Sequence, residues 1–160
     1  MNIFDTFILP CLCSFAACAA FGVQFNIRAW NLLGAALGAV ISQLIFSVAE
    51  HMGLTGGMCC FIAAAAVSAY SEILARRCKV PVNMFLVIGI IPLVPGGLTY
   101  YACLSLVSGE REAFLERASL AFAEAGSIAM GIFAVSSVFK VAVDLYREYI
   151  EHKKLKTVKK

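Results

Sequence analysis

The residues best placed to do chemistry lie in one stretch, Ile90-Ile-Pro-Leu-Val-Pro-Gly-Gly-Leu-Thr-Tyr-Tyr101. Pro92 and Pro95 each lack a backbone N–H, and Gly96 and Gly97 loosen the chain behind them, so an unbroken helix is not expected here. Gly96 also permits the close approach of another backbone. The stretch lies within an apolar run, Pro81 to Val107, that holds no charged residue. In hydrocarbon, each N–H and C=O released by a break needs a new partner, so a break is tolerated only against protein or a water-filled cavity. Secondary transporters bind substrates at broken helices of this kind, where half-helix ends and bare backbone groups supply the contacts. Pro92, Pro95, Gly96, Gly97, Thr99 and Tyr100 are therefore the substrate-path candidates. A kink that serves only packing is the other reading, because Pro and Gly are common in membrane helices.

Two acids carry a second line of chemistry. Glu124 falls a turn or two inside an apolar segment, where an ionised group is costly unless it is paired or faces water. It is a candidate for ion coupling, or else an interfacial acid near a helix start. Glu72 precedes Arg76 at the favourable i, i+4 spacing, and it pairs there, snorkels to the interface or takes part in coupling. His51 is the single histidine outside the basic tail. It reads as a neutral loop residue or as a proton relay. Cys11-x-Cys13 and Cys59-Cys60 place neighbours on different helix faces with no histidine in the same runs, so they read as packing groups and not as metal ligands. No metal or cofactor is expected. With no Ser/His/Asp grouping at catalytic spacing, an enzyme is not expected either.

The elements that position these residues follow from composition. The chain is 61% hydrophobic and 14% charged, with a mean hydropathy of +0.87. Soluble domains have about 45–50% apolar and about 25% charged residues, so this is an all-α integral membrane protein. Its 160 residues read as a single membrane domain, 1–160, with about five transmembrane helices. The spans are about 7–25, 32–49, 56–74, 81–107 and 118–143, the fourth broken at Pro-x-x-Pro-Gly-Gly; 144–160 is a basic cytoplasmic tail. The fourth run would reach ~40 Å as one straight helix against a hydrocarbon core of ~30 Å, which also favours helix, turn, helix. Pro10 falls in the first turn of span 1, where a missing N–H is harmless. Gly34-x-x-x-Gly38 on span 2 lets a neighbouring helix come close. Ser42 and Gln43 on the same span bond between helices or line a path. Glu50 to Thr55 reads as a loop, and His152 to Lys160 as frayed. Met1 to Thr6 carries Asp5 without Lys or Arg, which does not suit a cleaved secretory signal.

Charge sets the orientation. Seven of the thirteen Lys and Arg residues fall between Lys140 and Lys160. That tail suits an anionic lipid surface and does not by itself point to nucleic acid. Five full spans with the N-terminus out and the C-terminus in put eleven basic residues inside and two, Arg111 and Arg117, outside. A re-entrant fourth segment would split them seven to six, so the positive-inside rule favours five spans.

Two of these stretches resemble the threonine/serine exporter (ThrE) family. Phe21-Gly-Val-Gln-Phe-Asn-Ile27 followed by Arg28-Ala-Trp-Asn-Leu-Leu-Gly34 is similar to that family's first hairpin, and Ile91-Pro-Leu-Val-Pro-Gly96 with Tyr100 to its Pro-x-x-Pro-Gly signature. The likeness covers roughly residues 10 to 145 and is to the small, YjjB-like subunit of two-component members. It implies a bacterial inner-membrane exporter of small polar metabolites, typically threonine and serine, with related pairs linked to dicarboxylates. It also implies a larger membrane subunit as partner. From the residues themselves, a homo-oligomer is a further possibility for completing the path, and a non-catalytic scaffold subunit is the alternative function.

Overall fold

A computed structural model describes residues 7–158, which form helices joined by short turns. These are α1 (Leu9–Gln24), α2 (Ala29–His51), α3 (Gly56–Cys78), α4 (Asn83–Ile90), a 3-10 turn (Ile91–Leu93), α5 (Gly96–Val107) and α6 (Arg111–Val158). Among the described residues there is no strand. Pro10 sits in the first turn of α1.

Four of the helices end by the same device. Asn26, Gly53, Lys79 and Gly109 all have positive φ, between 54° and 79°. The amide that follows each one reaches back over the last turn: Ile27 to Gly22 O, Leu54 to Ala49 O, Val80 to Ala75 O and Glu110 to Ser105 O. This is the Schellman stop, in which a left-handed residue turns the chain out while satisfying the last carbonyls. α4 ends differently. Pro92 and Pro95 withhold the donors that would continue it, and the chain tightens into a 3-10 turn before restarting as α5 at 54° to its first direction.

α2 is the middle of the bundle and packs against α1, α3 and α4, while α3 packs against α2, α4 and α6. Small side chains let the axes close up: Ala35, Ala36, Ala39 and Ser42 on α2, and Ala63, Ala64, Ser68, Ser71 and Ala75 on α3, are buried. The Gly34/Gly38 face works as expected. Leu74 and Phe85 lie over Gly34, Tyr70 and Val67 lie over Gly38, and the Tyr70 hydroxyl donates to Gly34 O at 2.9 Å. Gly89 of α4 completes this crossing, since a β-carbon there would stand 2.5 Å from Val67 Cγ2. Ser42 Oγ donates to Gly89 O at 2.7 Å, so its hydroxyl does bridge two helices. Gln43, by contrast, bonds within its own helix, to Ser47.

Among the described residues, three helices are long and apolar enough to cross a membrane: α2, α3 and α6 over Arg111–Val143. The bent pair α4 and α5 makes a fourth if it counts as one span. The 16 residues of α1 give about 24 Å at ~1.5 Å per residue, short of the ~30 Å hydrocarbon core. Five full crossings therefore require both α1 and the bent pair to cross. Helix ends also differ from the sequence expectation. α2 runs on to His51, and α3 to Cys78, which places Arg76 and Arg77 on a helix and not in a loop. The segment expected to fray from His152 is helical to Val158. No Gly or Pro follows Gly131 to stop α6. Asp5 and the last two lysines lie outside the described residues.

Candidate functional site

The break is built from a chain of substitutes for the missing helical bonds. Val94, forced out of the helical region by the proline that follows it, is extended at φ −62°, ψ 127°. Its amide bonds to Ile91 O at 3.3 Å. Pro95 (φ −75°, ψ 57°) is the centre of an inverse γ-turn, closed by the Gly96 amide on Val94 O at 2.7 Å. α5 then begins, with the Thr99 amide at 3.0 Å and the Thr99 hydroxyl at 2.9 Å both on Pro95 O. Together with Ser42 on Gly89 O, these bonds occupy the carbonyls of Gly89, Ile91, Val94 and Pro95. What the break leaves bare is more specific than the sequence suggested. No side chain caps α5, so the amides of Gly97 and Leu98 are the orphan donors of an uncapped helix start. The Gly96 amide, which a continuous helix would give to Pro92 O, is spent on Val94 O instead.

The structure separates the six substrate-path candidates into two groups. Pro92 and Pro95 are half-buried and shape the turn, while Gly96, Gly97, Thr99 and Tyr100 are exposed on the start of α5. Tyr100 is 64% exposed and stacks edge-on against Tyr101 at 5.4 Å. The close backbone approach anticipated at Gly96 does not occur among the described residues. A β-carbon at Gly96 or Gly97 would meet nothing within 4 Å. Leu93 anchors the turn from below, buried with Cys60, Ala63, Ala64 and Ile128.

The two acids lie at opposite ends of α3. Glu72 is near its C-terminal end, where Oε2 accepts from Arg76 Nη2 at 2.9 Å, as the spacing predicts. Arg76 also lies 5.6 Å from the Phe139 ring centroid, so this pair ties α3 to α6. Glu124 points its carboxylate at the N-terminal end of α3, with Oε1 2.5 Å from where a β-carbon of Gly56 would stand. A side chain at position 56 would have to displace that carboxylate. The orphan amides of that helix start favour a negative group. Gly56 and Glu72 are 16 residues apart, or about 24 Å along the helix, so the two acids form no common site. Glu124 is the one near the break, since Ile128, one turn on, packs with Leu93.

Apart from Cys60, which packs with Leu93, the remaining features stand away from the break. His51 ends α2 and packs edge-on against Phe7 at 5.8 Å, closing the rim between α1 and α2. Cys18, Cys59 and Cys60 are buried as packing groups. An open groove of about 550 Å³ between α3 and α6, flanked by Met58, Phe61, Ser127 and Met130, is lined by none of the candidate residues. Sequence reasoning missed Arg117, whose guanidinium reaches across to α5. Its i, i−4 and i, i+3 neighbours on α6 gave no hint, because its partners lie on another helix.

The family model described as Threonine/Serine exporter, ThrE, matches residues 10–138, well over half of the chain. No curated protein and no solved structure matches it.

Proposed function

This chain belongs to the threonine/serine exporter family, and we propose that it supplies one half of an export path for small polar metabolites, threonine and serine first among them. The other half comes from a larger membrane subunit of the same family. The observation that carries this reading is the start of α5. The amides of Gly97 and Leu98, the Thr99 hydroxyl and the Tyr100 side chain all fall at the first turn of α5, where Gly97, Thr99 and Tyr100 are exposed among the described residues. An amino acid's carboxylate suits the orphan amides at a positive helix end, and its ammonium suits the Pro92 and Leu93 carbonyls at the turn. In hydrocarbon such groups need protein or water beside them, which a partner half would supply. Glu124, one turn from the packing that holds Leu93, is the coupling candidate. Glu72, already paired with Arg76, is the weaker one. Membership of the exporter family supports a bacterial inner-membrane location, and the charge distribution supports an orientation with the N-terminus out and the C-terminus in. A small dicarboxylate would suit the same amides, and a competition assay against threonine and serine tells the cargoes apart.

A scaffold reading draws on the same exposed turn, with the partner bound there and no substrate. The Pro92→Ala, Pro95→Ala double variant separates the two. Restoring both donors extends α4 through the turn and removes the exposed helix start. On the transport reading, export collapses while the complex with the partner is recovered at matched expression. On the scaffold reading, recovery of the complex falls first, and what remains exports normally. Normal export with normal recovery removes the break from the mechanism.

A further inference from the structure

Among the described residues, α5 packs mainly on one helix, and one cation reaches across that contact. It packs on α6 and on no other helix to a comparable extent. Arg117 of α6 donates through Nη1 to Tyr101 O at 3.3 Å and to Ser105 Oγ, and its guanidinium lies 6.0 Å from the Tyr101 ring centroid. Ser105 is buried, on the face of α5 turned to α6. Among the described residues the single salt bridge is Glu72–Arg76, so no carboxylate within 4.0 Å draws Arg117 away from α5. At the other end of α5 the joint to α4 is held by the turn's own backbone bonds and, before it, by the buried Leu93, and no side chain of another helix reaches Gly96 or Gly97. Gly96 and Gly97 meet nothing within 4 Å, the Thr99 hydroxyl bonds inside its own helix, and the bend is 54°.

We propose that Arg117 is a positioning residue that latches α5 to α6 and thereby fixes the angle at the Pro95–Gly97 joint. With the latch open, α5 pivots on that joint while α4 stays packed in the bundle, and the exposed helix start moves with it. Both bonds leave Nη1, and the guanidinium is suited to the task because its flat, delocalised plane also lies beside the Tyr101 ring, a contact that a compact ammonium does not make with the same geometry. The latch stands on these contacts alone. Its use as a gate for substrate rests on the export reading above.

Distance measurement tests the latch without assuming transport. In the full chain, in lipid nanodiscs and on a cysteine-free background, spin labels are placed at Cys103 on α5 and Ile62 on α3, both exposed. A control pair sits at Leu37 on α2 and Val87 on α4, also exposed. With Arg117 present, both pairs give one narrow distance. Arg117→Ala is expected to lose the narrow distance for the α5 pair alone, and Arg117→Lys to recover it only in part. If the α5 pair stays narrow in Arg117→Ala, or if both pairs broaden together, the latch is refuted. Should Arg117→Ala fail to accumulate, Ser105→Ala removes one acceptor and is judged by the same two outcomes. In cells, Arg117→Ala is expected to lower the maximal export rate about tenfold and leave the half-saturating concentration within about twofold, as for a residue that moves the path and does not bind the cargo. Broadened distances with no export by any variant would retain the latch and reject the export reading. Unchanged distances reject the latch whatever export does.

Discussion

α4 and α5 are the two arms of one apolar segment, and they live in opposite surroundings. On α4, Phe85, Ile88 and Gly89 are buried between α2 and α3. On α5, Ala102 and Ser105 are buried against α6, while Tyr100, Tyr101, Leu104, Leu106 and Val107 are exposed. Neither arm carries a charge, so charge does not distinguish them. What distinguishes them is side-chain size at the contact. Gly89 lets α4 into the crossing with Gly38 and Val67, whereas Gly96 and Gly97 open onto space. The same residue type serves close packing in one arm and an uncovered surface in the other.

The sharpest way to break this comparison is to put the same side chain on both arms. Gly89→Val forces methyl groups onto Val67 and the α2 backbone, and overpacking of this kind costs about 1–3 kcal/mol, occasionally more. Gly97→Ala meets no neighbour, so its effect on fold stability should stay within about 0.5 kcal/mol, the usual range for open surface sites. Thermal unfolding of the purified chain in detergent reads both. Equal losses would mean that α5 is packed as tightly as α4. A stable Gly97→Ala that still loses export would place the requirement for glycine outside this chain, on what comes to cover the helix start.

A smaller effect tests how α4 is held beside the break. Ser42→Ala removes the hydroxyl that donates to Gly89 O, and hydrogen bonds between membrane helices average about 0.6 kcal/mol by double-mutant cycles. A loss near that size in the same unfolding measurement supports a single bridging bond. A loss several times larger would show that Ser42 also organises the turn beyond Gly89.

How far the sequence could be read follows from the same two arms. The break itself was legible, because Pro92 and Pro95 delete donors wherever they stand, and the Gly34/Gly38 face was legible from its spacing. The Glu72–Arg76 pair was legible too, being local. The placement of the two acids at opposite ends of α3 was not, since it depends on α6 lying beside α3 with Glu124 at Gly56. In the sequence Arg117 reads only as a charge outside the membrane. Its role as a contact depends on α5 folding back along α6, and no periodicity within either helix encodes that. The tail that reads as frayed from His152 is helical to Val158, because no Gly or Pro after Gly131 breaks the helix.

The smallest expected effect on the fold isolates the chemistry of the helix start. Thr99 is exposed, and its hydroxyl donates to Pro95 O, which also receives the Thr99 amide. Thr99→Val keeps the β-branched shape and leaves that carbonyl satisfied by the amide, so stability should change by no more than about 0.5 kcal/mol. Ser42→Ala is the matched control, because it also removes one hydroxyl from a backbone carbonyl, but on the buried arm. If the two arms differ as argued, Ser42→Ala lowers stability and leaves the half-saturating concentration for export alone, while Thr99→Val does the reverse. A substrate that hydrogen-bonds the hydroxyl would bind Thr99→Val about tenfold more weakly, near the upper end of the 0.5–1.5 kcal/mol net worth of such a bond. Thr99→Ser, which retains the hydroxyl, should recover most of that loss. If Thr99→Val exports with unchanged saturation, the hydroxyl serves only its own helix turn, and recognition at the break falls to the bare amides of Gly97 and Leu98.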